Sequence, residues 1–211
     1  PSIERALEEA GVPYRVESRS LVYDTQEVRD LLTILRSIDD PTDEVALVGA
    51  LRSPAFGCGD DDLLRFCQAG GRWDYRRDPP ASLATDDSVA SAMAALHDLH
   101  KRRWWEPING IVEAVIRGRR LFELAFAHRR PRERWQRLRF LLDQARAFVE
   151  AGGSTLRQFI DWAELQAEEG TRVVETVVPE PDDDAVRVMT VHASKGLEFP
   201  IVALAGLNVH P

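Results

Sequence analysis

The periodicity of this chain changes character at Gly170, and that change constrains the fold more than any other feature. Before it, apolar residues recur at helical spacing. After it, Val173-Val174, Val177-Val178 and the run Pro179-Glu180-Pro181-Asp182-Asp183-Asp184 read as an extended acidic linker. Val186-Arg187-Val188-Met189-Thr190-Val191 then alternates with period two, as a strand entering a core does. Ile201-Val202-Ala203-Leu204-Ala205 is a continuous apolar run, the signature of a parallel strand buried on both faces. A helical body flanked by pieces of something α/β is the expected architecture.

The helical part is punctuated clearly. Ser2 stands where it can cap a helix carrying Ile3, Ala6, Leu7 and Ala10, and Gly11 ends it. A short strand follows over Val12-Pro13-Tyr14-Arg15-Val16. Asp24 and Glu27 have the spacing of a capping box ahead of Val28, Leu31, Leu32, Leu35 and Ile38. Asp39-Asp40-Pro41 breaks that helix, because the residue before proline is pushed out of the α region. Helices are expected near Thr42–Arg52 and Asp60–Ala69, then a polar, proline-bearing loop over about Gly70–Ala84. From Asp86 onward the pattern is helical. One stripe runs through Val89, Met93, Leu96 and His100; another runs through Ile108, Ile111, Val112 and Val115. Pro131 suits the first position of a long helix with Trp135, Leu138, Leu142, Ala145 and Val149 facing inward. Gly152-Gly153 stops it, and Ser154 is placed to cap the next, which carries Leu156, Phe159, Ile160 and Leu165.

Composition narrows the function classes. With 211 residues and 44% apolar content the chain can bury a proper core. No apolar run is long enough to span a membrane, and the first residues lack a signal peptide's pattern, opening instead inside a helical one, as an excised piece would. Cys58 and Cys67 form no zinc or disulfide framework, which suits a reducing cytoplasm. His97, His100 and His128 have no companion ligand set, so no metal is assigned. The net charge is −8, yet Lys101 to Arg139 holds twelve basic residues against four acids, a local +8. Two readings of this block stand together: a surface that neutralises nucleic-acid phosphates, or a solvated arginine face. Trp104-Trp105 beside Arg102-Arg103 is expected in the core, with base stacking as the alternative.

One segment carries specific chemistry: Val188-Met189-Thr190-Val191-His192-Ala193-Ser194-Lys195-Gly196-Leu197-Glu198-Phe199-Pro200. A loop leaving the C-terminal end of a parallel strand is where open α/β sheets bind ligands. Gly196 permits close backbone approach to a phosphate or sugar. Glu198 can accept hydrogen bonds from a ribose. Thr190, His192 and Lys195 offer donors to a nucleic-acid backbone. Singly, each is an ordinary solvated loop residue; together they fill every fixed position of Thr-x-His-x-x-Lys-Gly-Leu-Glu-Phe. The segment resembles motif V of UvrD/Rep/RecB-type DNA helicases of superfamily 1. The resemblance implies that Gly196 and Glu198 face ATP, and that Thr190, His192 and Lys195 face single-stranded DNA.

Two further stretches are similar to the same family. Ile3-Glu4-Arg5-Ala6-Leu7 with Gly11-Val12-Pro13-Tyr14, then Glu27-Val28-Arg29-Asp30, looks like the stretch that follows motif IV. The resemblance implies three parts: 1–35 from the second RecA-like motor domain, 36–183 a helical accessory insert of the 2B type, and 184–211 the return to the motor domain. Arg52-Ser53-Pro54-Ala55-Phe56-Gly57-Cys58-Gly59 resembles the insert's Gly-apolar-Gly turn, which implies amides of Gly57 and Gly59 on duplex phosphates. Phe56 replaces a basic residue there, and Asp60-Asp61-Asp62 would repel phosphate, so an ordinary helix–helix turn is the competing reading. The Leu51–Gly57 stretch and the helical run Trp135–Trp162 look most like the RecB/AddA-type helicase–nuclease proteins.

The resemblance implies an ATP-dependent DNA helicase or translocase working in recombination or repair. ATP and Mg²⁺ would be its cofactors in the whole protein. Its partners would be single-stranded and duplex or fork DNA, together with a second helicase–nuclease subunit. Within the insert, Arg129, Arg130 and Arg132 join the two glycines as the expected DNA contacts. The chain has no phosphate-binding Gly-x-x-x-x-Gly-Lys-Ser/Thr loop, so no catalytic residue is assigned and it is expected to be inactive on ATP by itself. The alternative is a non-catalytic regulatory or protein-interaction module derived from a helicase insert.

Overall fold

The computed structural model describes residues 2–17, 19–20, 22–127, 131–169, 173–174, 185–192 and 194–205. The chain is mostly helical and divides into two compact units. One unit comprises 1–20 with 172–211, the other 21–171.

In the first unit, α1 (Ser2–Glu9) closes through Val12 N–H on the Leu7 carbonyl at 2.9 Å. The chain then turns into β1 (Tyr14–Glu17) and the short β2 (Arg19–Ser20).

The second unit is built around α2 (Gln26–Asp39), whose Val28, Leu31, Ile34, Leu35 and Ile38 are wholly buried. It is surrounded by α3 (Glu44–Arg52), α5 (Ser88–Arg102), α6 (Ile108–Gly118), α8 (Pro131–Glu150) and α9 (Leu156–Glu168). The shorter α4 (Asp60–Gln68) and α7 (Leu121–Phe126) complete it. Gly49 of α3 lies so close to α2 that a Cβ there would sit 2.9 Å from Thr33 Cγ2, so the tight crossing depends on glycine. Tyr23 wedges edge-on against Phe140 and Trp162, with centroids at 5.9 and 6.0 Å. Burial pushes its phenol up to about 12.

Pro131 opens α8 as expected. Two of the three expected side-chain caps differ from the sequence reading. The N-cap of α2 is Thr25, with no side-chain cap bond. Glu27 instead accepts from Arg137 Nη1 at 2.9 Å, and Asp24 from Arg29 at 2.8 Å: a long-range pair outcompetes the local box. At α9 the cap is Thr155, which accepts from Gln158 N–H at 3.2 Å, one residue later than Ser154. Trp104 and Trp105, expected in the core, are 76% and 68% exposed. They occupy a turn held by main-chain bonds to the end of α5, which leaves both rings outside.

The chain returns to the first unit as β3 (Val173–Val174) and β4 (Val186–Met189). β4 pairs in parallel with β1, Tyr14 opposite Val186 and Glu17 opposite Met189. β3 pairs antiparallel with β2. The expected strand at 201–205 is absent: Ile201, Val202 and Leu204 are 90%, 64% and 67% exposed. A buried parallel strand needs ladder partners and cover on both faces. Among the described residues, 201–205 pairs with neither two-stranded sheet, and its large side chains stay exposed.

Candidate functional site

The parallel register of β1 and β4 puts their C-terminal ends at the same edge, and the loop from Thr190 leaves there. Its shape is set by main-chain bonds. Ser194 N–H donates to the Thr190 carbonyl at 3.1 Å and Leu197 N–H to the Ser194 carbonyl at 3.1 Å, while Ser194 Oγ donates to the Val191 carbonyl at 2.8 Å. Gly196 has φ +82°, a left-handed conformation that costs a residue with a Cβ roughly 1–2 kcal/mol. Nothing lies within 4 Å of where a Cβ would stand, so backbone angle, not crowding, demands glycine. Arg187 of β4 lies 5.0 Å from the Phe199 ring centroid and ties the far arm of the loop back to the strand. Thr190, His192, Lys195, Gly196 and Glu198 all lie along this one turn, which is largely open to solvent. The loop thus presents a hydroxyl, an imidazole, an ammonium and a carboxylate within nine residues, Thr190 to Glu198.

The second expected site is built differently. Gly57 has φ +65° and is exposed, as a turn glycine should be. The amides from Phe56 to Gly59 are already committed. Phe56 and Gly57 N–H donate to the Ser53 carbonyl (3.1 and 2.8 Å), and Cys58 N–H to the Leu51 carbonyl (3.0 Å). Gly59 N–H donates to the Asp62 carboxylate at 2.9 Å. Arg119 closes the turn from outside, donating to the Ala55 carbonyl at 2.9 Å with its guanidinium 4.3 Å from the Phe56 centroid. The geometry is that of a closed helix–helix connection whose anion-binding donors are already used.

The basic block is likewise more neutral in space than in sequence. Arg103 pairs with Asp39 (3.2 Å), Arg137 with Glu27 (2.9 Å), Arg102 with Glu106 (2.8 Å), and Arg117 with Glu113 (2.8 Å). Arg132 is exposed on the first turn of α8; Arg129, Arg130 and His128 lie outside the described residues. His100 turns out to be structural. Its Nδ1 lies 2.6 Å from the Ile38 carbonyl, so it carries the proton, and burial lowers its affinity for a second one. Among the described residues, no group of three or more His, Cys, Asp or Glu is positioned for a metal, and no helix is long and apolar enough to cross a membrane.

Sequence reasoning passed over one arginine-lined cavity. The polar loop between α4 and α5 sets Arg72, Arg76 and Arg77 around it, opposite Met93 and His97 of α5. Three arginines within six residues, interleaved with Trp73 and Tyr75, were the available signal.

A mostly helical chain with a parallel strand pair and a Gly-containing loop at the pair's C-terminal edge combines a large helical part with a small α/β one. Comparison with known families makes this specific. Residues 90–210 match the UvrD-like helicase C-terminal domain, and the chain belongs to that family. It is similar to proteins named as subunits of an ATP-dependent helicase/nuclease. That of Oceanobacillus iheyensis is 27% identical, over 98% of this chain and 17% of its own length. That of Staphylococcus carnosus is 29% identical (98% and 18%), and that of Pelotomaculum thermopropionicum 31% identical (94% and 16%). The chain therefore spans less than a fifth of the length of these relatives.

Proposed function

We propose that this chain works as part of an ATP-dependent DNA helicase or translocase in DNA recombination or repair, with the loop Thr190–Glu198 as its working element. The observation that carries the reading is that loop's position at the C-terminal end of a parallel strand, with Gly196 left-handed and five candidate side chains or backbone positions along one turn. On this reading 1–35 and 184–211 belong to a RecA-like motor domain and 36–183 to an accessory insert. Glu198 accepts hydrogen bonds from the ATP ribose, and Gly196 lets the backbone approach the nucleotide. Thr190, His192 and Lys195 hold single-stranded DNA by its backbone. ATP with Mg²⁺ is bound mainly by residues outside these 211, so the isolated chain turns over no ATP.

The test is kinetic. In the ATP-hydrolysing protein, Glu198→Ala removes a charge-assisted hydrogen bond worth about 1.5–3 kcal/mol, and KM for ATP should rise roughly 10- to 150-fold. Affinity for single-stranded DNA should change little. Unaltered ATP kinetics with weakened DNA binding would reverse the assigned roles.

A second reading concerns the helical unit. Its arginines are drawn into ion pairs and the Gly57–Gly59 amides are used internally. Both observations favour a regulatory or protein-docking role for this unit over a duplex-gripping one. Its natural partner is then a second helicase–nuclease subunit.

A further inference from the structure

The cavity between the α4–α5 loop and α5 belongs to neither reading. It has a volume of about 210 Å³, several times the roughly 30 Å³ that one water occupies, so it can take a ring. Its floor is one stripe of α5: Ala90, Met93, Ala94 and His97 follow the spacing of a single helix face, and the two alanines leave the space above them open. Its rim is the loop bearing Arg72, Arg76 and Arg77, with Asp78 also on it. The loop is fixed in place. Tyr75 Oη donates to the Ser37 carbonyl at the end of α2 (2.7 Å), and Trp73 packs on Phe66 at 5.2 Å between centroids. Arg76 grips Asp74 through Nε and Nη2 at 2.8 and 2.9 Å, and Arg77 lies 3.7 Å from the same carboxylate. Arg72 has no ion pair among the described residues. Three guanidiniums against Asp74 and Asp78 leave one positive charge in excess, beside an apolar slot.

We propose that this cavity binds a nucleoside phosphate, the phosphate on Arg72 and Arg77 and the ring on the α5 stripe. The planar guanidinium fork matches phosphate oxygens bidentately, and a rigid rim loses little entropy on binding. The space above Ala90 and Ala94, flanked by Met93 and His97, suits a ring better than it suits a branched peptide side chain. The phosphate belongs either to a free nucleotide or to the 5′ end of a strand.

Calorimetry on the 211-residue chain distinguishes these. The probes are dAMP, deoxyadenosine, a 5′-phosphorylated thymidine tetramer, its unphosphorylated form, and an acidic Glu/Leu peptide. Both phosphorylated probes should bind at least about ten-fold tighter than their unphosphorylated counterparts. A tighter tetramer assigns the site to strand ends; a tighter dAMP assigns it to free nucleotide. Arg72→Glu with Arg77→Glu should weaken phosphate binding at least about ten-fold. Ala94→Trp, at an exposed position that fills the slot without touching charge, should abolish it while leaving the melting temperature close to the parent's. The proposal is overturned if phosphorylation makes no difference, if Ala94→Trp binds as the parent does, or if the acidic peptide binds tightest.

Discussion

Glu27 is the residue whose role differs most between a local and a tertiary reading, and its removal separates the two. Its side chain is 9% exposed, and it receives Arg137 Nη1 at 2.9 Å and Arg134 Nε at 3.8 Å, joining the first turn of α2 to α8. Breaking a buried ion pair from one side costs about 3–5 kcal/mol when the remaining charge has no other partner. Arg137 keeps Glu133 at 3.4 Å, and Arg134 is 29% exposed, so both arginines are partly compensated. The loss is then nearer that of the one charge-assisted hydrogen bond from Arg137, about 2–3 kcal/mol. For a unit of this size each kcal/mol lowers the melting temperature by roughly 2–4 °C, so Glu27→Ala should melt about 4–12 °C lower.

Circular dichroism melts of Glu27→Ala, Asp24→Ala, Arg137→Ala and the Glu27/Arg137 double variant measure this. Asp24 is bonded to the exposed Arg29 and should cost under about 1 kcal/mol. A capping box would instead make Asp24 and Glu27 comparable, each about 0.5–2 kcal/mol. Equal losses for the two, or a cycle with no coupling between Glu27 and Arg137, would refute the tertiary role.

Gly196→Ala forces φ +82° on a residue with a Cβ, so it should destabilise the loop by about 1–2 kcal/mol; unchanged hydrogen exchange over 190–198 would contradict this. Acid should weaken the helical unit in two steps. His100, held below its ordinary value by burial, takes up a proton more readily unfolded, so stability falls as pH drops below about 6.5. Asp40, lowered by its Thr42 bonds, and Asp74, lowered by Arg76, add a second loss below about pH 4. Asp30, raised by burial, opposes it, since its contribution grows as pH falls. Melts that are flat from about pH 7 to 5 and unaltered by His100→Gln would count against the first step. If Arg129, Arg130 and Arg132 all touch phosphates, their joint replacement by alanine should flatten the slope of log K against log salt by about 2.7. A folded triple variant with the parent's slope assigns the block to protein contacts or solvent.

What was legible in the sequence was what depends on near neighbours. The helices announced themselves through the stripes Val28–Ile38 and Ile108–Val115, and Pro131 marked the start of α8 because its missing N–H and fixed φ act locally. The turn at Gly196 was legible because a left-handed glycine acts on the backbone locally. What failed depended on partners far along the chain. Nothing near Glu27 says that Arg137, 110 positions later, will take its carboxylate from the cap. The apolar run 201–205 has the composition of a buried strand, yet composition cannot supply the neighbouring strands that would bury it. Trp104 and Trp105 carry no mark that distinguishes a ring packed at a junction from one left outside it. The arginine-lined cavity requires α5 to lie over a loop whose own sequence reads only as polar.

The basic block shows how far the two kinds of information diverge. A local +8 between Lys101 and Arg139 is a statement about order along the chain, whereas the field a phosphate meets is a statement about space. Folding brings Glu27, Asp39 and Asp143 from outside the block onto Arg137, Arg103 and Arg139. These pairs are not equivalent. Arg103 and Arg137 are 22% and 17% exposed and are anchored to α2, so surrendering them to DNA would cost the helical unit its own contacts. Arg139 is about half exposed with a 3.6 Å partner, a pair worth little in water and readily exchanged for a phosphate. Any nucleic-acid contact made by this surface therefore falls to exposed positions such as Arg132 and Arg139, while Arg103 and Arg137 act as structural ties between helices.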